Sequence, residues 1–254
     1  QHMKGFLEMR SDARSLRMQL GEESYSPIDI FSILGSTDDL TVVFYPMSDR
    51  ISGACIRDNG NKLIAINSNL THGRQRFTAA HELCHVYFHE QLKGVLCAKD
   101  IDNVKDPQEI EADLFASYFL APHDSMAEYI KNRLKKKKLE LDVADVVRIE
   151  QHFGLSRQAT LRRLVTNGYL TQEQAMPMRY GIKDSALKTG FDTTLYIPTA
   201  KEKQYNTLGR YVTLAQELKT KDLVSNGKYE ELLLDAFRSD IVFGLNDDEE
   251  ERYD

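Results

Sequence analysis

His81-Glu82-Leu83-Cys84-His85 places two imidazoles one helical turn apart with a carboxylate beside the first. On a helix, residues i and i+4 share a face, so His81 and His85 can turn ring nitrogens toward one divalent cation. Glu82 stands next to them without being a ligand. A carboxylate held there can take a proton from an attacking water and hand it to a departing amine. The chemistry is peptide hydrolysis without a covalent intermediate. A pattern of three fixed letters arises by chance in roughly one chain of this size per hundred, so its surroundings must decide.

A catalytic zinc needs a third protein ligand and one open position. His89 continues the spacing of four, but it lies eight residues beyond His81, ~12 Å along a helix axis at ~1.5 Å per residue. That is too far to share an ion, and its expected role is packing beside the site or closing the helix end. Glu109 and Glu111 on the following helix are the better candidates. Leu114, Phe115 and Tyr118 lie on the same side as Glu111 and would anchor it against the core. Glu109 is nearer the exposed helix start, where a carboxylate mainly favours the helix dipole. Two imidazoles, one carboxylate and an open position suit one Zn2+ per chain, and the same ligands accept Mn2+ or Fe2+.

These residues need helices to hold them. From Gly73, apolar residues Phe77, Ala80, Cys84 and Phe88 recur at spacings of three and four, which predicts a helix to about Glu90. Pro107 opens a second helix through EIEADLFASYFLA, which Pro122 stops. Upstream, helices are expected at about Ser11 to Leu20 and from Ser26-Pro27 through IDIFSIL, with Pro27 in the first turn. Short strands follow at Thr41 to Pro46, Ser52 to Arg57 and Lys62 to Asn67, the last two forming a hairpin across Asp58-Asn59-Gly60-Asn61. The charge-dense KNRLKKKKLE (Lys131 to Glu140) must stay at the surface. Beyond it come a helix, a turn at Gly154, a helix from near Ser156 and a turn at Asn167-Gly168, the outline of a helix-turn-helix. A strand at Thr193 to Pro198 and helices at Thr207 to Leu218 and Tyr229 to Arg238 complete the expectation.

Composition limits the function classes. The chain has 254 residues, and 33 Lys+Arg against 39 Asp+Glu give a net charge of −6, which argues against the nucleic-acid backbone as main partner. In the helix-turn-helix region, Arg148, Arg157, Arg162, Arg163 and Arg179 are balanced by Glu140, Asp142, Asp145, Glu150 and Glu173. That balance favours packing or partner docking over direct DNA contact. No apolar run reaches the ~20 residues that span a bilayer, and no secretory signal is visible, so the expectation is a cytoplasmic protein with no membrane partner. Gln1-His2-Met3 read as the remnant of a cloning linker and are set aside. Three cysteines without a CxxC pair indicate reduced thiols, with Cys55 and Cys97 as small buried residues.

FTAAHELCHVYFH (Phe77 to His89) followed by EIEADLFASYFLAP (Glu109 to Pro122) resembles the ImmA/IrrE family of bacterial metallopeptidases. The similarity extends upstream through Pro27 to Leu34, Ser52-Gly53 and Leu63 to Asn67, and downstream through Val146 to Leu164. The resemblance implies His81, His85 and Glu111 as zinc ligands and Glu82 as general base. It also implies an α+β, zincin-like, mostly helical fold with a small β-sheet, followed by a helix-turn-helix-like segment and a mixed C-terminal segment. The corresponding division is a peptidase domain at 4–134, a helical segment at 139–180, a mixed segment at 181–245 and an acidic, disordered tail at 246–254. Cys84 stands where members often carry glycine, and an oxidisable thiol beside the metal would make the site redox-sensitive.

The activity implied is a zinc-dependent endopeptidase that cleaves a helix-turn-helix (XRE-type) repressor encoded nearby. Cleavage would relieve repression of stress-response, prophage or mobile-element genes. The expected docking element is the strand Leu63, Ile64, Ala65, Ile66 and Asn67, pairing with an extended segment of the target. Tyr118, His123 and Arg76 are the candidates for stabilising the oxyanion. The competing reading is a non-hydrolytic, metal-stabilised regulator that binds the repressor or DNA, with one half of a toxin-antitoxin-like pair as a further form of it. Glu82 separates the two readings. The sequence leaves the oligomeric state, the scissile bond and the activating signal open.

Overall fold

The computed structural model describes residues 4–89, 94–98 and 106–244; the acidic tail at 246–254 and the side chain of Cys97 lie outside that description. The chain opens with α1 (Phe6–Gln19) and α2 (Ile30–Gly35). Next come β1 (Leu40–Tyr45), β2 (Ile51–Asp58), β3 (Asn61–Asn67), α3 (His72–Phe88) and β4 (Gly94–Ala98). Helices α4 (Pro107–Leu120) and α5 (His123–Glu128) follow, the latter continued by a wider turn over Tyr129–Arg133. Next are α6 (Val143–Phe153), α7 (Arg157–Thr166), α8 (Gln172–Met178) and α9 (Ile182–Lys188). The chain then adds β5 (Asn206–Gly209), α10 (Arg210–Thr220), α11 (Asn226–Asp235) and α12 (Ser239–Phe243). The architecture is α+β and mostly helical.

One five-stranded sheet runs in the order β4-β2-β3-β1-β5. After β1 the chain skips one strand position, lays down β2 and returns as β3 to fill the gap. So β3 is parallel to β1 and antiparallel to β2. The hairpin turn is tight because Asn59 and Gly60 both take positive φ, 47° and 82°, the geometry of a two-residue primed turn. Leu40, Val42, Ile64 and Ile66 alternate toward the core and are fully buried, where α3 covers β2 and β3 and α4 packs on α3.

The docking strand expected at Leu63 to Asn67 cannot serve as one. It is β3, and its backbone is already paired on both sides, to β1 and to β2. A strand can accept a peptide only where its ladder is open, and among the described strands the edges are β4 and β5.

Other departures have local causes. Pro27 precedes α2 rather than starting it, and Asp29 caps the helix by accepting hydrogen bonds from the backbone of Phe31 and Ser32. The strand expected at 193–198 is instead a 3-10 turn at Thr194–Tyr196. Tyr196 is drawn into a small apolar cluster with Val147 and Ala186, and its hydroxyl donates to Glu150 at 2.7 Å. The strand of this region is β5, paired antiparallel to β1 through Thr41↔Gly209 to Phe44↔Asn206. A segment read as a C-terminal addition thus completes the sheet.

Candidate metal centre

Helix α3 brings the two motif histidines onto its buried face. The side chain of His81 is 10% exposed and that of His85 only 1%, and their Nε2 atoms lie 3.1 Å apart. Glu109, from the first turn of α4, closes the triangle. Its Oε2 is 3.2 Å from His81 Nε2 and its Oε1 is 3.3 Å from His85 Nε2. A tetrahedral zinc with bonds of ~2.0–2.1 Å places neighbouring ligand atoms ~3.4 Å apart, so the three donors are spaced to hold such an ion. Among the described residues they form the one group of metal-ligand type with all donor atoms within 4.8 Å.

Glu111, to which the resemblance gave the third-ligand role, is placed elsewhere. Its Oε2 sits 3.1 Å from His89 Nε2, and its Oε1 accepts a hydrogen bond of 2.6 Å from the backbone N–H of Lys4. The helical period accounts for the exchange. Glu109 and Asp113 are four apart and share a face toward α3, whereas Glu111 is rotated ~200° from Glu109. The same apolar neighbours that anchor Glu111 turn it toward the core and α1. Glu109 keeps 28% of its side chain exposed, against 8% for Glu111.

Each histidine's Nδ1 is held from behind. His81 Nδ1 lies 3.2 Å from Asp113 Oδ1, and Asp113 Oδ2 accepts a 3.0 Å bond from Arg162 of α7. His85 Nδ1 lies 2.8 Å from His89 Nδ1, which continues the chain to Glu111 and Lys4. Such outer partners fix ring orientation and leave Nε2 of both histidines free to coordinate. His89 thus meets neither the ion position nor solvent; it orients His85.

The local field calls for a cation. Burial opposes charge on His81, yet the hydrogen bonds to Asp113 and Glu109 and the nearby Glu82 carboxylate outweigh it and push its pKa up to about 10. Burial would raise Glu109, but its bonds to His81 and His85 hold it well below the carboxylate range. In the ion-free chain a proton balances these carboxylates, which is the electrostatic requirement a divalent metal meets.

Glu82 is completely buried between α3 and β2. Its position depends on Gly53. A Cβ added there would lie 2.9 Å from Glu82 Oε1, 2.5 Å from Thr78 Cγ2 and 2.9 Å from the Ala65 carbonyl oxygen. Only a residue without a side chain lets the strand approach this closely. Sequence reasoning noted Ser52-Gly53 without finding this role; a glycine inside a strand was the available signal.

The three oxyanion candidates are otherwise engaged. Arg76 donates through Nε to the Gly154 carbonyl at 3.1 Å and through Nη2 to the Ile28 carbonyl at 2.6 Å, tying α3 to two loops. Tyr118 lies under the Arg163 guanidinium, 3.9 Å from its ring centre. His123 and Tyr118 line a different cleft, bordered by α1. Cys84 is fully buried, and burial followed by the Glu111 charge raises its thiol pKa far above the usual range. That keeps it protonated and unreactive, contrary to the redox sensitivity expected from sequence.

The helix-turn-helix outline forms as read, with Gly154 ending α6 in the left-handed conformation and Ser156 capping α7. Arg157 and Arg163 of α7 are buried, whereas Arg162 stays 56% exposed. Arg157 forms a buried pair with Glu150, Arg162 bonds Asp113, and Arg163 donates to Ser117 Oγ and the Ala121 carbonyl.

The family model described as Peptidase_M78, IrrE N-terminal-like domain, matches residues 38–165. A relative from Bacillus phage phi105, named "Uncharacterized immunity region protein 2", is 30% identical over 96 residues. The match covers 38% of this chain and 61% of that protein, so the chain spans about three fifths of the relative's length.

Proposed function

Because the chain belongs to the IrrE N-terminal-like peptidase family, we propose that it is a zinc-dependent endopeptidase with His81, His85 and Glu109 as ligands and Glu82 as general base. The observation that carries the ligand set is that His81 Nε2 and His85 Nε2 lie 3.1 Å apart and each is within 3.3 Å of one Glu109 carboxylate oxygen, on two packed helices. When bound, the ion supplies Lewis acidity to polarise the scissile carbonyl. The rest of the work falls to this chain's own groups. Glu82, in van der Waals contact range of Gly53 and on the turn that carries His81, takes the proton of the attacking water and delivers it to the leaving amine. Asp113 and His89 hold the imidazoles in one orientation so that no reorganisation is needed as charge develops. Burial of Glu82 removes competing water from around its carboxylate.

The substrate we propose is a helix-turn-helix repressor encoded near this gene. The name of the phage relative, which places that protein in an immunity region, supports a regulatory target. An extended segment of the target would add to the open edge of β4, which neighbours β2 in the same sheet. Direct DNA binding is disfavoured because the α7 arginines are spent on Glu150, Asp113, Ser117 and Ala121. Among the described residues no helix is long and apolar enough to cross a membrane.

The test is Glu82→Gln, assayed with the repressor product of the neighbouring gene. The variant should retain zinc and partner binding and lose cleavage by about 10²- to 10⁴-fold, the usual worth of a general base. If it relieves repression as well as the parent does, the protein acts by occupancy, and the peptidase reading is wrong.

A further inference from the structure

A second cleft, of about 300 Å³, opens where α1 meets the C-terminal half of α4 and the start of α5. It is separate from the metal centre. Tyr118 in its wall follows Glu109 by nine residues, ~14 Å along α4 at ~1.5 Å per residue. In a chain of net charge −6 this cleft is lined mainly by basic side chains. Arg10, Arg14 and Arg17 come from one side of α1, and His123 and the carboxylate Asp124 from α5.

The cations differ in how they are engaged. Arg17 is fully buried and spends its donors on the carbonyls of Glu23, Phe119 and Ser26, so it is a fixed positive charge in the floor. Arg163 adds another beneath Tyr118. Arg10 is paired with Asp124 at 3.1 Å, but Asp124 is 65% exposed and that pair is easily exchanged. Arg14 makes no ion pair or hydrogen bond among the described residues. The Nδ1 atom of His123 is buried and lacks a hydrogen-bond partner there, a cost that a native site seldom carries without a ligand or water. Burial and then the charges of Arg10 and Arg163 hold the His123 pKa below its ordinary value.

We infer that this cleft binds a small phosphate monoester, its phosphate held by Arg14, Arg10 and His123 and its organic body resting on Leu7, Tyr25 and Pro122. Two guanidinium groups on one helix and an imidazole on another surround an acceptor from two sides. A phosphate monoester, with about two charges and three terminal oxygens, uses such an array more fully than a two-oxygen carboxylate does. The volume exceeds what an inorganic anion fills and lies at the lower end for organic ligands, and the apolar wall supplies the remainder of the contact. This inference does not depend on the peptidase reading.

The experiment is calorimetric titration of the zinc-loaded full chain with phenyl phosphate at constant ionic strength, with benzoate as the carboxylate control. Saturable binding of phenyl phosphate is expected, weakened about tenfold or more in Arg14→Ala, where an exposed side chain is removed without loss of packing. Arg133→Ala, on a distant surface turn, should bind as the parent does. Because zinc itself attracts phosphate, the titration is repeated on zinc-free protein, and the binding should survive. Absence of saturable binding, equal binding by Arg14→Ala, loss of binding with the zinc, or benzoate binding as tightly would each overturn the inference.

Discussion

Replacing Glu109 with alanine should abolish tight zinc binding, whereas replacing Glu111 should only loosen it. Glu109 places both carboxylate oxygens within 3.3 Å of the motif Nε2 atoms; Glu111 reaches the histidines only through His89. Structural zinc sites with four ligands gain about 10–16 kcal/mol on binding, or roughly 2.5–4 kcal/mol per ligand. Loss of Glu109 is therefore expected to raise the zinc Kd by about 10²- to 10³-fold. Loss of Glu111 removes the group that holds the group behind His85. Such outer partners cost about 10- to 100-fold when removed, and the effect two steps out should fall at or below the lower figure. The assay is competition for zinc against a fluorescent chelator of known affinity, with bound metal counted by mass spectrometry and folding checked by circular dichroism. Glu109→Ala holding zinc as the parent does, while Glu111→Ala releases it, would refute the geometric argument and restore the ligand set implied by family resemblance.

Two further outcomes follow from the groups behind the site and beneath the helical segment. His89→Ala and Asp113→Ala should each weaken zinc about 10- to 100-fold while still binding one ion at saturation, and unchanged affinity in both would show that ring orientation is set by packing alone. Arg157→Ala leaves the fully buried Glu150 without its ion-pair partner and should cost about 3–5 kcal/mol by urea denaturation; the double change Glu150→Leu with Arg157→Met should cost less than Arg157→Ala alone, and a larger loss in the double variant would contradict a desolvation origin.

The site was legible in sequence as far as a local period could carry it. His81, Glu82 and His85 follow from spacing on one helix, and His89 is excluded as a ligand by the same rise per residue. The third candidate ligand was harder because it belongs to a second helix whose rotation relative to the first is a tertiary fact. Leu114, Phe115 and Tyr118 identified the core-facing side of α4 correctly, but an anchored carboxylate is a satisfied one, and Glu111 is spent on His89 and Lys4. The carboxylate facing the two motif imidazoles is that of the less buried Glu109. Strand pairing failed for a similar reason. The hairpin of β2 and β3 is local, fixed by Asn59-Gly60, whereas the parallel pairing of β1 onto β3 and the arrival of β5 from more than 160 residues away in the chain are not written in any short window. That is why β3 looked like an edge.

The reach of β5 also bears on what the C-terminal residues do. Besides pairing with β1, this part of the chain donates from Tyr211 N to Thr41 Oγ1 at 3.1 Å and joins Thr199 Oγ1 to Gln75 at 3.0 Å. Gln75 sits in the first turns of α3, the helix of the two histidines. Tyr196 and Gln151 extend the contact to α6, and α7 returns to the centre through Arg162 and Asp113. The residues after 138 therefore do not form an appendage that could be removed to leave a working peptidase core. They brace the sheet edge opposite β4, the start of α3 and the outer support of His81, and the buried Gln75 of α3 would lose its Thr199 partner if the segment were absent. Desolvated polar groups left unpaired cost about 1–3 kcal/mol each. The residues that support the candidate metal site thus include those after 138, and Arg157 and Arg163 of α7 are committed to that packing.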